Sequence, residues 1–591
     1  MCGIIGYIGS NYNAKEKIMQ GLHHLEYRGY DSTGIALVSN KDVVTYKNIG
    51  NVSSLEAILP NIKSNIGIGH TRWATHGAIT KENSHPHDSN HKRFSIVHNG
   101  IIENYEQIKN EYLSNYFFLS QTDSEIFANL LEYLSYNHST IEALRIIKSI
   151  VKGSYAILII DHQEQDKIYF IKNLTPLIIL KGENNIALAS DIINIDKEFT
   201  SFYSLEDHEF GYISQNKISI FQNLKVVNPK FSRLTSSIDD TSLDGFSSYM
   251  EKEIHQEPSL IKKIIDEYCI NDEIIIDKEI LSMIKSARKV FLCGCGSSLY
   301  SCKIGRYFLI KHAQIECEEI LSSEAIYNFP LTQKGDIFIF VSQSGETLDV
   351  INLFKIAKAK GYKCISICNS TYSTLVRLCD KNISLLAGKE ISVASTKAFL
   401  SQSLVFYLLS KAISNNKIDS QKISILQKNL NDILSNQESL KAKAKQISTF
   451  EHVFFLGRNI DYFLCLEGSL KLKEISYIHA ESFPAGELKH GTLALISNKT
   501  LVISLISQDY LYSIMKVNIK ETSSRGAINI NIIKENLPHN EDDITLKIGT
   551  DEDLIIFQEL MILQLISYYV SQIKGNDIDH PRNLAKSVTV E

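Results

Sequence analysis

Up to Pro229 the apolar positions fall in short strand-like runs. These include Ile4–Ile8, Phe94–Val97, Tyr155–Ile160 and Ile168–Ile171, bounded by turn residues. A few stretches carry helical spacing instead, the clearest over Ser124–Tyr136. This pattern predicts a mixed, largely antiparallel sheet with helices. Ser232–Asp244, rich in Ser, Thr and Asp, reads as a linker. Beyond it, short apolar strands alternate with longer helical patterns, the signature of α/β units with parallel sheets.

The second half also repeats itself. Val290-Phe-Leu-Cys-Gly-Cys-Gly296 resembles Val453-Phe-Phe-Leu-Gly-Arg-Asn459, and Phe340-Val-Ser-Gln-Ser344 resembles Leu505-Ile-Ser-Gln-Asp509. The offsets, 163 and 165 residues, nearly agree, which predicts two α/β domains of related fold, the second pattern starting near Ser448. The expected organisation is a first domain over 2–229, a linker over 230–247, α/β domains over 248–435 and 436–576, and a tail over 577–591.

A chain of 591 residues is too long for one core, and 44% hydrophobic with 22% charged residues is ordinary globular composition. The net charge of −6 argues against a nucleic-acid partner. The ten cysteines are scattered, as in a reduced, cytoplasmic protein, and Cys293/Cys295 lack a second pair at zinc spacing. Gly3, Gly6 and Gly9 break the first apolar run, and no basic segment precedes it, so no signal peptide is expected. No uninterrupted apolar stretch looks long enough to span a bilayer.

Cys2 follows the initiator Met. Once Met1 is trimmed, one residue would carry both a thiol and an α-amine of pKa about 8, a nucleophile with its own base. His70-Thr-Arg-Trp-Ala-Thr-His-Gly77 adds Arg72, suited to gripping a carboxylate, and the chain's only Trp, Trp73. Asn99 and Gly100 supply a side-chain amide and a backbone N–H, the donors that an oxyanion requires. Asp123 could bind an ammonium group. His85-Pro-His87, with His91 and His98, offers a metal reading; the family resemblance that follows implies instead a loop that closes over the substrate.

These segments, with Cys2-Gly-Ile-Ile-Gly-Tyr7, Leu25-Glu-Tyr-Arg-Gly-Tyr-Asp-Ser32 and Thr122-Asp-Ser-Glu125, resemble the class II N-terminal-nucleophile glutamine amidotransferase domain. The resemblance implies a four-layer αββα sandwich. It implies Cys2 as nucleophile and base, and Asn99 and Gly100 as oxyanion donors. Arg72, Thr75 and His76 would hold the glutamine α-carboxylate and Asp123 its α-amine, with Trp73 as a gate.

In the second half, Ser342-Gln-Ser-Gly-Glu-Thr347 follows a strand over Asp336–Val341 and precedes a helix that runs to Gly361. Strand, hydroxyl-rich glycine loop and helix N-terminus make a phosphate cradle. Cys295-Gly-Ser-Ser298 is a second hydroxyl loop, after Val290–Leu292. In the later repeat Ser507-Gln-Asp509 puts a carboxylate where an anion would sit, so one phosphate site is expected, in the first repeat. Glu467, Lys471 and Glu474 share one helical face.

Ser342–Thr347, Val393-Ala-Ser-Thr-Lys-Ala-Phe399, Leu466–Glu481, Gly486-Glu-Leu-Lys-His-Gly491 and Pro581–Glu591 resemble the paired sugar-isomerase (SIS) domains and tail of the hexosamine-forming amidotransferase family. With the first domain, the likeness spans essentially the whole chain. It implies an α/β multidomain protein that converts fructose 6-phosphate and glutamine to glucosamine 6-phosphate and glutamate. Ser298, Ser342, Gln343, Ser344 and Thr347 would bind phosphate; Val393, Ser395 and Ala585 would line the sugar site. Lys586 would form a Schiff base with the open-chain ketose, and Glu474 would move the proton from C1 to C2, supported by Glu467 and Lys471. His490, from the partner subunit of a homodimer, would assist ring opening. Free ammonia would be protonated in water, so a dry passage between the sites is implied. No metal or organic cofactor, nucleic acid or membrane is called for.

Few positions depart from the family pattern: Ser297, the Asp244–Met250 segment, Thr492 and Lys172–Leu177. Three other readings stand beside this one: a class II amidotransferase acting on phosphoribosyl pyrophosphate, whose paired-acid motif is not found; a fructosamine-phosphate deglycase, which would normally lack the N-terminal Cys domain; and a sensor that binds sugar phosphates without reacting.

Overall fold

The computed structural model describes residues 2–74, 77–193, 198–223, 225–234 and 242–588. They form two compact units, one over the N-terminal 241 residues with the tail from Ala585, the other over Ser242–Leu584.

The N-terminal unit is built on two antiparallel sheets, of eight and seven strands. Strand Gly3–Gly9 lies inside the larger sheet, pairing with Ile66–Arg72 on one side and Asn185–Ala189 on the other. Phe94–Ile102 lies in the smaller sheet beside Gly153–Asp161. Alternate residues of the two sheets, among them Ile4, Ile8, Ile68, Val97, Leu158 and Phe170, meet in one apolar layer. Helix Ala14–Leu25 covers the outer face of the larger sheet: Ile18 and Leu22 press where Gly67 and Gly69 offer no side chain. Helices Tyr105–Tyr112, Asp123–Ser135 and Thr140–Ile150 cover the smaller sheet through Ile108, Phe127, Leu131 and Leu144. The layer order is αββα, as the family resemblance implies.

The second unit holds two five-stranded parallel sheets with one strand order. In the first the order is Cys317–Leu321, Val290–Gly294, Ile337–Ser342, Lys363–Cys368, Lys381–Ser384. In the second it is His479–Pro484, His452–Gly457, Leu501–Ile506, Ile528–Lys534, Ile544–Leu546. The faint repeat in the sequence is thus a repeated fold. Two helices, Lys397–Ile413 and Ile556–Lys574, are buried along nearly their whole length in a core shared by both sheets.

Three expectations need correction. Phe94–Val97 is only the start of its strand, which runs on to Ile102, so Asn99 and Gly100 lie within the sheet. The linker was placed too early, because Ser232–Arg233 pair with Ser201 and Phe202 as an edge strand; most of the remaining linker, 235–241, lies outside the described residues. One segment, Glu552–Lys574, is long and apolar enough to cross a membrane, with mean hydropathy 1.5 over an 18-residue window; that window is wholly buried here, within a core helix.

Candidate active sites

The pairing of Gly3 with Thr71 sets Cys2 beside the end of strand Ile66–Arg72. The Trp73 N–H donates to Cys2 Sγ at 3.3 Å. Burial pushes the thiol above its ordinary pKa, while the Trp73 N–H and the Arg72 charge pull it down. Arg28 and Asp31, given no role by sequence reasoning, support this corner: Arg28 Nε donates to the Cys2 carbonyl at 3.3 Å, and Asp31 Oδ2 accepts from the Ala74 N–H at 2.9 Å. Both lie in Leu25–Ser32, a segment whose density of charged and aromatic residues was the available signal.

Asn99 comes from the other sheet, and its Nδ2 donates to the Cys2 carbonyl at 2.9 Å. Gly100 has φ +128, and a Cβ there would stand 2.0 Å from the Ser154 carbonyl oxygen, so only glycine fits. Asp123 opens helix Asp123–Ser135, and its Oδ2 accepts from the Ile102 N–H at 2.7 Å, tying the helix to the end of the Asn99 strand. Burial lowers the pKa of the Arg72 guanidinium, and charges on Cys2, Asp31 and Asp123 act against that shift. Arg72 Nη1 and Nη2 also donate to the Ala78 and Gly77 carbonyls. Trp73 is half-buried, edge-on to Tyr30. A thiol, a side-chain amide, a cation and a carboxylate thus converge, the set required to hold an amino acid and attack its side-chain amide. Thr75 and His76 lie outside the described residues.

The histidines lie deeper. His85 and His87 are buried, His85 stacks on His70, and their ring nitrogens face Ser124 and Thr122. Burial drives His70 down to about 3 and holds His85 and His87 well below their usual values, so all three are neutral. Among the described residues no cluster of His, Cys, Asp or Glu has metal-holding geometry.

In the second unit, Gly296 carries the chain from strand Val290–Gly294 into helix Ser297–Ala313 with φ 54 and ψ −131. Strand Ile337–Ser342 leads through the hydroxyl loop into helix Leu348–Ala359. Ser342 Oγ accepts from the Gly345 N–H at 2.9 Å and lies 3.3 Å from Thr347 Oγ1; Ser344 Oγ accepts from the Glu346 N–H. Gln343 is half-buried in the same turn, its carbonyl meeting the Asn369 N–H. Gln402, from the buried helix, donates to Ser298 Oγ at 3.0 Å.

Helix Ile460–Ser476 brings Glu467, Lys471 and Glu474 to one face. Lys471 Nζ lies 2.6 Å from Glu474 Oε2 and 3.4 Å from Glu467 Oε1, with Lys471 1% and Glu467 0% exposed. Ser297 Oγ donates to Glu467 Oε1 at 3.0 Å and lies 3.4 Å from Lys471 Nζ, joining this triad to the first repeat. Burial pushes Glu467 up to about 7; it also pulls Lys471 down, but Glu467 and Glu474 outweigh it and keep the ammonium charged.

Sequence reasoning missed three supports here: Ser297, Gln402 and Glu390. Glu390 accepts from Ser395 Oγ at 3.1 Å and from the Thr396 and Ala398 N–H groups, shaping the loop that carries Val393 and Ser395. The Val393 N–H is held by the Asp579 carbonyl. His490 ends a 3-10 helix, Ala485–His490, and is exposed. Ala585 and Lys586 are half-buried in the tail grouped with the N-terminal unit.

Family models agree with this division. A glutamine amidotransferase domain matches residues 70–197, and an SIS domain matches twice, over 283–412 and 446–573. The chain is 40% identical over 603 residues, all of both chains, to the glutamine–fructose-6-phosphate aminotransferase [isomerizing] of Geobacillus kaustophilus. It is equally similar over 604 residues to the protein of that name from Staphylococcus aureus. Among solved structures, the C-terminal domain of glucosamine-fructose-6-phosphate aminotransferase from Francisella tularensis covers 58% of this chain and 100% of its own, at 32% identity and TM-score 0.53.

Proposed function

The chain belongs to the family of isomerizing glutamine–fructose-6-phosphate aminotransferases, and from that premise we propose that it converts fructose 6-phosphate and glutamine into glucosamine 6-phosphate and glutamate. Cys2 attacks the glutamine side-chain amide, its own α-amine taking the thiol proton once Met1 is removed. Asn99 Nδ2 and the Gly100 N–H receive the oxyanion as it collapses to expel ammonia, which takes the proton held by the α-amine, and again as water cleaves the resulting thioester to free glutamate and restore the thiol. Arg72, with Thr75 and His76, holds the α-carboxylate and Asp123 the α-amine, while Trp73, at the same site, gates the passage of ammonia.

The released ammonia reaches the sugar without equilibrating with solvent. Ser298, Ser342, Gln343, Ser344 and Thr347 grip the phosphate, and Val393, Ser395 and Ala585 line the sugar. His490, reaching from the partner of a homodimer, opens the ring, and Lys586 forms an imine at C2. Ammonia displaces Lys586, and Glu474 carries the C1 proton to C2. Ten free thiols fit a reducing compartment, and we place the enzyme in the cytoplasm.

The observation that carries this reading is the buried Glu467–Lys471–Glu474 triad hydrogen-bonded through Ser297 to the helix that follows the first glycine loop. A phosphate-binding sensor needs the cradle, but it has no use for a lysine clamped between two carboxylates. Purified protein given both substrates should accumulate glucosamine 6-phosphate and glutamate in equal amounts. Glutamate without amino sugar would reduce the chain to a glutaminase, and neither product would sink the reading.

A further inference from the structure

The two repeats differ at one chemically decisive place. Gly296 and Asn459 correspond at the repeat offset, and Asn459 holds φ 54 and ψ −127, nearly the Gly296 conformation, although it carries a side chain. The second repeat therefore keeps the backbone of the first cradle. Two residues on, Ser298 corresponds to Asp461. Sequence reasoning assigned the second loop's carboxylate to Asp509, but Asp509 turns away to pair with Lys534 at 2.9 Å.

Asp461 fills the loop instead. Its Oδ2 accepts from the Ser507 N–H at 3.0 Å, and its Oδ1 from Ser507 Oγ and, at 3.0 Å, from Gln508 Nε2. These donors come directly after strand Leu501–Ile506, where the first repeat has Ser342, the last residue of its strand, and Gln343. Asn459 Nδ2 donates to Gln508 Oε1 and Tyr510 Oη, both at 2.9 Å, tying the loop shut. On the buried helix, where the first repeat sets Gln402 against Ser298, the second sets Glu559, fully buried and close enough to Asp461 to be perturbed by its charge. Burial pushes Asp461 up to about 6, and burial together with the Asp461 charge pushes Glu559 well above its ordinary value. The second cradle is therefore filled by a carboxyl group that the chain itself supplies.

We infer that Asp461 is the built-in occupant of the second repeat's anion cradle, a carboxylate standing where the first repeat takes a phosphate group, and that it limits each chain to one sugar phosphate. This rests on the reading of Ser342–Thr347 as the phosphate site. Replacing Asp461 by the serine of the first repeat and Glu559 by its glutamine reopens the cradle to a phosphate monoanion or dianion.

The test counts inorganic phosphate bound per chain by equilibrium dialysis, with the fold of each variant checked by circular dichroism. The full-length protein should bind one, D461S/E559Q two, and S342A/S344A none. The increment between D461S/E559Q and wild type tests the inference, and the wild-type count tests the assignment of the first cradle. A rise from zero to one would keep the former and sink the latter. A folded D461S/E559Q that binds no more than wild type overturns the inference. Should that variant fail to fold, the S342A/S344A protein decides: no bound phosphate supports a closed second cradle, and one remaining phosphate overturns it.

Discussion

Asn99 Nδ2 and the carbonyl oxygen of Cys2 stand 2.9 Å apart, joining the residue at the head of the N-terminal strand to a strand of the opposite sheet. The bond fixes the Asn99 amide at the Cys2 residue before substrate arrives, and under the proposed function this amide would be a preorganised oxyanion donor. Asn99→Ala should lower the kcat of glutamine hydrolysis by about 10²–10³-fold with little change in KM. Steady-state glutamate release measures it, and a loss confined to KM would show that Asn99 serves binding alone.

Cys2→Ala should abolish glutamate formation and leave fructose 6-phosphate binding intact, since the Ser342–Thr347 loop is built within the other unit. Calorimetric titration of the variant with fructose 6-phosphate provides the readout. Loss of both activities would give Cys2 a folding role instead.

At Gly100 the backbone conformation and the Ser154 carbonyl leave no room for a methyl group. Gly100→Ala should cost about 1–3 kcal/mol for backbone strain, and more for the clash. A lowered unfolding temperature together with lost glutaminase activity is the expected outcome. A variant as stable and active as the wild type would contradict the strand geometry.

Glu467 has its carboxyl raised to about 7, whereas an unfolded glutamate titrates near 4.3. Between those values the folded state holds the extra proton, so this group's contribution to stability falls as pH rises from about 4.3 to about 7 and is flat outside that window. Glu467→Gln should remove that slope from denaturant unfolding free energies. An unchanged slope would place the titration elsewhere.

Lys471 neutralises two carboxylates at a nearly inaccessible site. Lys471→Met leaves both without their cation and should destabilise the protein by about 3–5 kcal/mol. The double variant Lys471→Met with Glu467→Gln should recover part of that loss, and amino-sugar synthesis should stay abolished in both. No stability difference between the two would mean that Glu467 is not paired to Lys471.

Much of this architecture was legible in the chain. Cys2, Arg72, Asn99 and Asp123 sit in local segments whose residue types state their chemistry, and the near-equal offsets from Val290 and Phe340 disclosed the repeat. Contacts between distant segments were not legible. Ser297 read as a mere hydroxyl replacement, because its partner Glu467 lies 170 residues away. Asp461 has no place in the sequence reading, which assigns the second loop's carboxylate to Asp509, because nothing in the sequence says which carboxylate turns inward. Asn99 and Gly100 looked like the end of a strand because the apolar run stops at Val97, while the ladder continues on main-chain hydrogen bonds to Ala156 and Tyr155 that need no apolar side chain.

The central claim is that the amide nitrogen freed at Cys2 is the nitrogen placed on the sugar. Glutamine labelled with ¹⁵N in the side-chain amide, supplied with fructose 6-phosphate and an excess of unlabelled ammonium, tests it most directly by mass spectrometry of the product. Coupled sites should yield glucosamine 6-phosphate carrying ¹⁵N undiluted by the bulk ammonium. Unlabelled product, or no amino sugar beside free labelled ammonia, would contradict it.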